Sequence, residues 1–267
     1  MTKITDKFLE LQLKGEKALI AYFVVGYPTE SASLLAVRGL IKGGADIIEL
    51  GLPFSDPLAD GPVIQNAIHI ALKNHINLRR FIHFVKKIRE ESEVPLLVMT
   101  YSNLLFKYGF SRFLNLAKKA GIDGFILPDL PIEEASEFLK AARRYDVDAV
   151  FLVSPNTSEI RLRDIVSKSS GFLYLVSMYG TTGAQQDLKQ YTIDAIQRTK
   201  KMAKRKIPVG VGFGVSRPTD VKKIIMAGAD GVIVGSAFLR LVNATSNSKI
   251  ETMIEDYARK LKLATKI

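Results

Sequence analysis

Eight short runs of β-branched and aliphatic residues recur along the chain, and this repetition limits the possible folds more than any other feature. The runs span residues 19–25, 47–52, 95–100, 124–127, 149–153, 172–176, 208–212 and 231–234. Between them lie amphipathic segments with helical spacing, such as the one in which Phe138, Leu139 and Ala142 share a face. Nearly continuous apolar strands are typical of a parallel sheet that helices cover on both faces.

Strand and helix alternate without a break in composition, which predicts one α/β domain over residues 1–267, built as a closed (β/α)8 TIM barrel. A further amphipathic segment, residues 4–14, precedes the first strand and predicts an additional N-terminal helix. The alternative is an open, doubly wound sheet. That fold usually carries a G-x-G-x-x-G motif after its first strand, and the segment "VVGYPTES" lacks the motif.

The 267 residues contain no cysteine, so disulfides and thiolate metal sites are excluded and a cytoplasmic location is expected. No uncharged apolar run reaches the roughly 18 residues of a membrane-spanning helix. The net charge of +11 leaves a nucleic-acid-binding module as an alternative, but the basic residues are spread along the chain. Their densest group, residues 200–206, is expected at a solvated helix end, where cations are favourable.

Glycines cluster where the last two strands are expected to end. Gly210, Gly212 and Gly214 fall at the end of the seventh run, and Gly235 and Ser236 follow the eighth. In TIM barrels these two loops commonly bind phosphate, because backbone N–H groups and a helix N-terminus point at the anion. The alternative is that the glycines only relieve crowding at the strand ends. The segment "YGTTGAQQ", residues 179–186, is a third loop that could close over a ligand.

Two kinds of catalytic side chain, lysine and histidine, are absent from the expected strand ends, which limits the reactions that the chain could catalyse. None of the eight strand ends carries a lysine that could form a Schiff base. His69, His75 and His83 fall in the helical segments after the second strand, so we expect them to be ordinary surface or packing residues. Carboxylates remain as the candidates for proton transfer.

Glu49 interrupts the apolar second strand in "IIELGLPFSDPLADGP". Because side chains alternate along a strand, Glu49 shares a face with Ile47 and is expected inside the barrel, where burial would raise its pKa. The alternative is that Glu49 faces outward and forms an ion pair with a helix. Asp56, Asp60 and Asp129 add negative charge to the same rim. Asp56 is typical of a turn-forming residue, and the spacing of Asp56 and Asp60 matches no standard metal loop, so no metal is expected.

The motif "ELGLPFSDPLADGPVIQNA", followed in order by "YSNLLF", "LPDLP", "TTGA", "GFGVS" and "GSA", resembles the α subunit family of tryptophan synthase. The resemblance covers essentially the whole chain and implies a (β/α)8 barrel. It implies a lyase that cleaves indole-3-glycerol phosphate to indole and glyceraldehyde 3-phosphate. Matched motif by motif, the family's catalytic residues fall on Glu49, Asp60 and Tyr174.

The resemblance also implies where substrate and partner bind. The implied phosphate contacts are Gly183, Phe213, Gly214, Gly235 and Ser236. The implied indole wall includes Tyr22 and Met99, for which a plain core role is the alternative. The chain itself is expected to need no cofactor, whereas the partner β subunit of an α2β2 hetero-oligomer carries pyridoxal phosphate. The implied partner interface comprises Asp56, Pro57 and Asn103, with Leu104, Leu105 and Phe106 in a loop. For these three apolar residues the alternative is that they pack under their own helix.

The chain departs from the family pattern at Tyr27, Met178 and Thr181, which puts loop closure and subunit coupling in doubt more than the reaction. Two alternatives to a subunit lyase stay open at this point. One is a stand-alone lyase of the same ancestry that releases free indole. The other is a sugar-phosphate isomerase, which also needs a base and a phosphate site but does not require the motif "SDPLADGP".

Overall fold

The computed structural model describes residues 2–176, 190–204, 206–212 and 214–266. Within these ranges the chain forms nine strands and twelve α-helices. The strands are β1 (Ala18–Val24), β2 (Ile47–Gly51), β3 (Leu96–Met99), β4 (Gly124–Ile126), β5 (Asp148–Val150), β6 (Leu152–Val153), β7 (Leu173–Val176), β8 (Val209–Gly212) and β9 (Gly231–Val234). The helices are α1 (Lys3–Leu13), α2 (Glu30–Lys42), α3 (Pro62–Lys73), α4 (Leu78–Glu91), α5 (Ser102–Tyr108), α6 (Phe110–Ala120), α7 (Ser136–Arg144), α8 (Glu159–Lys168), α9 (Gln190–Ala203), α10 (Pro218–Met226), α11 (Ser236–Asn243) and α12 (Ile250–Leu263).

All strand pairs are parallel, and the strand order is β5-β4-β3-β2-β1-β9-β8-β7-β6. The two outer members of this order, β5 and β6, are consecutive in the chain and are separated by Phe151 alone. They are therefore the two halves of the fifth expected strand, and the sheet curves into a ring. The structure confirms the TIM barrel and splits one of its eight strands into two.

The barrel interior is a separate apolar cluster that contains Ile20, Ile47 and Leu97. Helix α1 adds Ile4 and Phe8 to the same cluster. These two side chains lie near Gly124 and Gly231, the first residues of β4 and β9. The additional N-terminal helix is thus confirmed, and it covers the end of the barrel where the strands begin.

Three aspartates tie neighbouring strands together at that same end. Each follows a glycine with positive φ in the pattern G-x-D just before a strand, and each accepts a hydrogen bond from the backbone N–H near the start of an adjacent strand. The bonds run from Leu19 to Asp46 at 2.7 Å, from Leu96 to Asp123 at 2.9 Å and from Val209 to Asp230 at 2.8 Å. This end of the barrel is therefore built for stability, which leaves the opposite end for function.

Outside the barrel, α2 and α12 pack closely because Gly39 of α2 and Gly43, the residue directly after α2, face α12. A Cβ atom on Gly39 would lie 2.4 Å from the carbonyl oxygen of Glu251, and one on Gly43 would lie 2.6 Å from Cβ of Ala258. Among the residues that the structure describes, no helix is long and apolar enough to cross a membrane.

Candidate active site

Glu49 lies in the middle of β2, on the interior face predicted from the strand alternation. It is completely buried, in register with Tyr22 of β1 and Leu97 of β3. Its carboxylate lines a cavity of about 170 Å³ at the end of the barrel where the strands finish. Strand β2 therefore positions a carboxyl group at the boundary between the apolar interior and the cavity.

The surroundings of Glu49 favour its protonated form. Burial first, and the nearby Asp60 carboxylate second, raise the pKa of Glu49 to about 8. Neither carboxylate oxygen has a hydrogen-bond partner within the described part of the chain. At neutral pH this group is mostly a carboxylic acid, so it can donate a proton.

Asp60 enters the same cavity from the loop between β2 and α3. The loop turns tightly, with the Asp60 N–H donating to the carbonyl of Pro57 at 3.2 Å. Tyr101 Oη donates to Asp60 Oδ2 at 2.8 Å. Burial raises the pKa of Asp60 to about 6, while the hydrogen bond from Tyr101 opposes the rise. Asp60 is consequently mostly ionised at neutral pH, unlike Glu49.

Tyr22 and Tyr174 flank the carboxylates from β1 and β7, and both line the cavity. Burial is the main cause that raises the pKa of each phenol, and the charges of Glu49 and Asp60 add to it. Both side chains therefore remain neutral hydroxyl groups over the physiological pH range.

Glycines make room for these aromatic rings. A Cβ on Gly51 would lie 2.6 Å from Tyr22 Oη, and one on Gly212 would lie 3.0 Å from Tyr174 Oη. Gly210 faces Phe172 in the same way, at 3.0 Å. For Gly210 and Gly212 the contacts thus favour the alternative that these glycines relieve crowding.

Gly214 differs from its neighbours because it has φ +65° and open space where a side chain would be. It lines the cavity together with Gly235 and Ser236, which begin α11. The structure thus brings three of the five residues expected to contact phosphate together in one cavity. The other two expected contacts, Gly183 and Phe213, lie outside the described residues, as do Met178, Thr181 and the segment 179–186.

The remaining wall of the cavity is largely apolar, and Met99 belongs to it as expected. The other apolar side chains of the wall are Ala59, Ile64, Ile126, Pro128, Leu152, Val176, Val215 and Ile233. The two carboxyl groups therefore lie next to a largely apolar wall.

The residues expected to contact a partner lie around the same end of the barrel but differ in exposure. Asp56 and Asn103 are exposed, and Pro57 is partly exposed. The expectation of a loop around Leu105 is wrong, because these residues form helix α5. Leu105 is completely buried in the core, whereas Phe106 is 73% exposed.

Leu104, the other apolar residue expected at the interface, is partly buried and packs against the same core as Leu105. Leu58, which was not among the residues expected there, is 89% exposed. An indication of this exposure was present in the sequence, because Leu58 lies inside the acidic loop "SDPLAD".

Two further residues have contacts that the sequence did not indicate. Tyr101 lies two residues after the end of β3 and contacts Asp60, as described above. Asp129 accepts hydrogen bonds from the N–H and the hydroxyl of Ser102, at 2.8 and 2.7 Å, so it caps α5. The alternation of side chains along the second strand identified Glu49, but no such local pattern reveals these two contacts.

The three histidines are exposed on the outer helices or their connections. Tyr27 is buried, with 4% of its surface exposed. Among the described residues no group of three or more His, Cys, Asp or Glu side chains could hold a metal ion.

Comparison with known proteins agrees with the geometry. A family model described as "Tryptophan synthase alpha chain" matches residues 8–266. The tryptophan synthase alpha chain of Methanosarcina mazei is 45% identical over 260 residues, which cover 97% of this chain and 93% of that one. The corresponding chain of Methanocaldococcus jannaschii is 44% identical over 241 residues, covering 90% and 84%.

Solved structures agree over the whole fold. A chain of Mycobacterium tuberculosis tryptophan synthase superimposes with a TM-score of 0.91 at 34% identity, covering 100% of this chain and 99% of that chain. A chain of the Pyrococcus furiosus tryptophan synthase a2b2 complex gives 0.86 at 38% identity, covering 92% and 98%. With a family model that matches nearly its full length and curated relatives above 40% identity, the chain belongs to the tryptophan synthase alpha chain family.

Proposed function

We propose that this chain, a lyase by its family, cleaves indole-3-glycerol phosphate to indole and glyceraldehyde 3-phosphate through Glu49, Asp60 and Tyr174. The observation that carries the proposal is the pairing of two carboxyl groups with different protonation states in one largely apolar cavity. Glu49, with its pKa near 8, is mostly protonated at neutral pH, and Asp60, with its pKa near 6, is mostly ionised. Such a difference assigns the acid and the anion of a proton-transfer reaction.

The cleavage needs two proton transfers, one to indole C3 and one from the hydroxyl group of the departing fragment. The carboxylic acid of Glu49 delivers a proton to indole C3, and the bond between C3 and the adjoining carbinol carbon breaks. The hydroxyl proton of that carbon returns to the Glu49 carboxylate, which leaves an aldehyde on the departing fragment. The Asp60 carboxylate accepts a hydrogen bond from the indole N–H while electron density shifts through the ring.

The rest of the cavity orients the substrate. Tyr22 and Met99 contact the indole ring in this proposal, and Tyr174 separates the reacting carbon from solvent next to Glu49. Gly214, Gly235 and Ser236 bind the phosphate together with Gly183 and Phe213. The start of α11 supports an anion there, because the first N–H groups of a helix lack intrahelical partners and carry a positive partial charge.

The reaction uses side chains of this chain alone, so no metal and no cofactor takes part in the proposed steps. A cytoplasmic location, expected from the cysteine-free composition, belongs to the same proposal.

Release of indole, measured by absorbance, tests the assignment with wild type, Glu49→Gln and Asp60→Asn. We expect each variant to lose at least about a hundredfold in kcat, the usual contribution of a positioned acid or base. Glu137→Gln, on the exposed face of α7, is the matched control and should keep full activity. Full activity in both active-site variants would refute the roles, and conversion of sugar phosphates without indole would favour an isomerase.

The proposal includes a β subunit partner that carries pyridoxal phosphate, in an α2β2 assembly. The tryptophan synthase of Pyrococcus furiosus is an a2b2 complex with mutual activation. In the present chain Leu58 and Phe106 expose apolar surface near the mouth of the barrel, together with Asp56, Pro57, Asn103 and part of Leu104. Exposed apolar side chains of this kind are typical of an interface.

The partner is tested by adding a β subunit to the purified chain. We expect a complex in size-exclusion chromatography and a faster lyase reaction. Phe106→Ser should weaken the complex, whereas Ile160→Ser, which changes an equally exposed apolar residue on α8, should not. A chain that forms no complex and keeps its rate would instead be a stand-alone lyase.

A further inference from the structure

Tyr101 is a buried residue that contacts the acidic loop twice through a single hydroxyl group. Only 5% of its surface is exposed. Its Oη donates to Asp60 Oδ2 at 2.8 Å and accepts a hydrogen bond from the N–H of Ala59 at 3.0 Å. Two consecutive residues of the loop are therefore held by one side chain from the end of β3.

The direction of these hydrogen bonds is fixed. The Ala59 N–H can only donate, so it occupies a lone pair of the phenol oxygen and leaves the phenol proton for Asp60. Burial, followed by the charge of Asp60, raises the pKa of Tyr101, so the hydroxyl stays protonated. The contact with Asp60 is thus a neutral donor facing a carboxylate, which is one of the stronger kinds of hydrogen bond.

Tyr101 is itself held in place. Its ring stacks on Phe54, with 5.3 Å between the ring centroids and 23° between the planes. Its backbone continues into Ser102, whose N–H and hydroxyl donate to Asp129 at 2.8 and 2.7 Å. Phe54 belongs to the same loop as Asp60, whereas Asp129 follows β4, so the Ser102 contacts anchor the backbone next to Tyr101 outside that loop.

We propose that Tyr101 is a positioning residue that fixes the orientation of the Asp60 carboxylate in the cavity. Asp60 lies in a loop, where a carboxylate without a rigid partner can rotate. With Oδ2 bound to Tyr101, the other oxygen is left to face the ligand. The kinetic part of this inference rests on the proposed lyase function, whereas the link between Tyr101 and Asp60 does not.

The test is Tyr101→Phe, which removes the hydroxyl and keeps the ring that stacks on Phe54. Losing a donor to the ionised form should raise the pKa of Asp60 by about one pH unit, measured by NMR titration of its side-chain carboxyl carbon. The lyase kcat should fall roughly tenfold with little change in KM, and the acid limb of the pH-rate profile should move upward by the same amount.

Tyr145→Phe is the matched control, because the Tyr145 hydroxyl pairs with Ser111 Oγ at 3.0 Å between outer helices. It removes a hydrogen-bonded phenol without touching the cavity and should leave both the titration and the rate unchanged. In an Asp60→Asn background, Tyr101→Phe should cause little further loss, because Tyr101 acts through Asp60.

An unchanged Asp60 titration in a folded Tyr101→Phe protein would overturn the inference, as would a further tenfold loss in the Asp60→Asn background. If the wild type releases no indole, the proposed function fails, and the titration still decides the role of Tyr101. If Tyr101→Phe does not fold, hydrogen exchange and NMR titration of the wild type test the inference instead. Its Ala59 amide should be protected from hydrogen exchange and should shift with the Asp60 titration, and free exchange without such a shift would overturn the inference.

Discussion

Glu49 should make the protein less stable than a variant without an ionisable group at this position, and the difference should depend on pH. The carboxyl is completely buried and has no hydrogen-bond partner within the described ranges. Its pKa rises from 4.5 to about 8 on folding. Between these two values the unfolded chain ionises Glu49 while the folded chain keeps it protonated, so ionisation favours the unfolded state.

The sign and size follow from proton linkage. The stability contributed by the protonated group is fully present below pH 4.5 and is lost as the pH rises toward 8. The loss is about 1.4 kcal/mol for each pH unit, which makes roughly 5 kcal/mol by pH 8. Glu49→Gln keeps the shape and cannot ionise. We therefore expect the variant to match the wild type near pH 5 and to exceed it by several kcal/mol at pH 8.

Urea unfolding at pH 5, 6, 7 and 8 measures this difference, provided that the slope m is the same in both proteins. Glu137→Gln, which is exposed on α7, controls for the loss of a charge and should follow the wild type at every pH. A difference between Glu49→Gln and wild type that does not change with pH would refute the reasoning, and so would a variant that is less stable at pH 8.

Two further predictions concern the rate and the helix packing. The kcat/KM for indole release should be bell-shaped in pH, rising through the Asp60 pKa near 6 and falling through the Glu49 pKa near 8, and Asp60→Asn should remove the acid limb from its residual activity. Gly39→Ala should lower the free energy of unfolding by about 2 kcal/mol in urea unfolding, because a methyl group there meets the backbone of α12. If the Gly39→Ala protein were as stable as the wild type, α2 and α12 could move apart without a loss of folding free energy, which would contradict this prediction.

The sequence predicted the parts of the fold that depend on local periodicity. The eight apolar runs became the strands of the barrel, and the alternation around Ile47 and Glu49 correctly put Glu49 inside it. The division at Phe151 was not predicted, because the run 149–153 is apolar throughout and its interruption depends on how neighbouring strands pair.

Contacts between distant parts of the chain account for what sequence patterns could not predict. Tyr101 contacts Asp60, which lies 41 residues earlier in the chain. No local sequence pattern indicates a contact between residues so far apart. The segment of α5 was expected as a loop, and its apolar residues were therefore interpreted as an exposed interface, with packing under a helix as the alternative. Leu105 is instead buried against the core, which favours a helix with one covered face. The G-x-D repeat before β2, β4 and β9 was readable in the sequence, but its role depends on backbone N–H groups of other strands.

The two ends of the barrel differ in how their fully or partly buried carboxyl groups are paired: three aspartates at one end have partners, whereas Glu49 at the other end has none among the described residues. Where the strands begin, Asp46, Asp123 and Asp230 each have a backbone donor and at least one cationic partner, as in the pair of Asp123 with Arg89 at 2.6 Å. Where the strands finish, Glu49 has neither within the described residues. A partner for Glu49 would lower its pKa and stabilise the fold, but it would also remove the proton that the proposed reaction needs at neutral pH. The unpaired acid therefore lowers the stability of the fold at neutral pH, and favourable contacts in the rest of the protein must offset that cost.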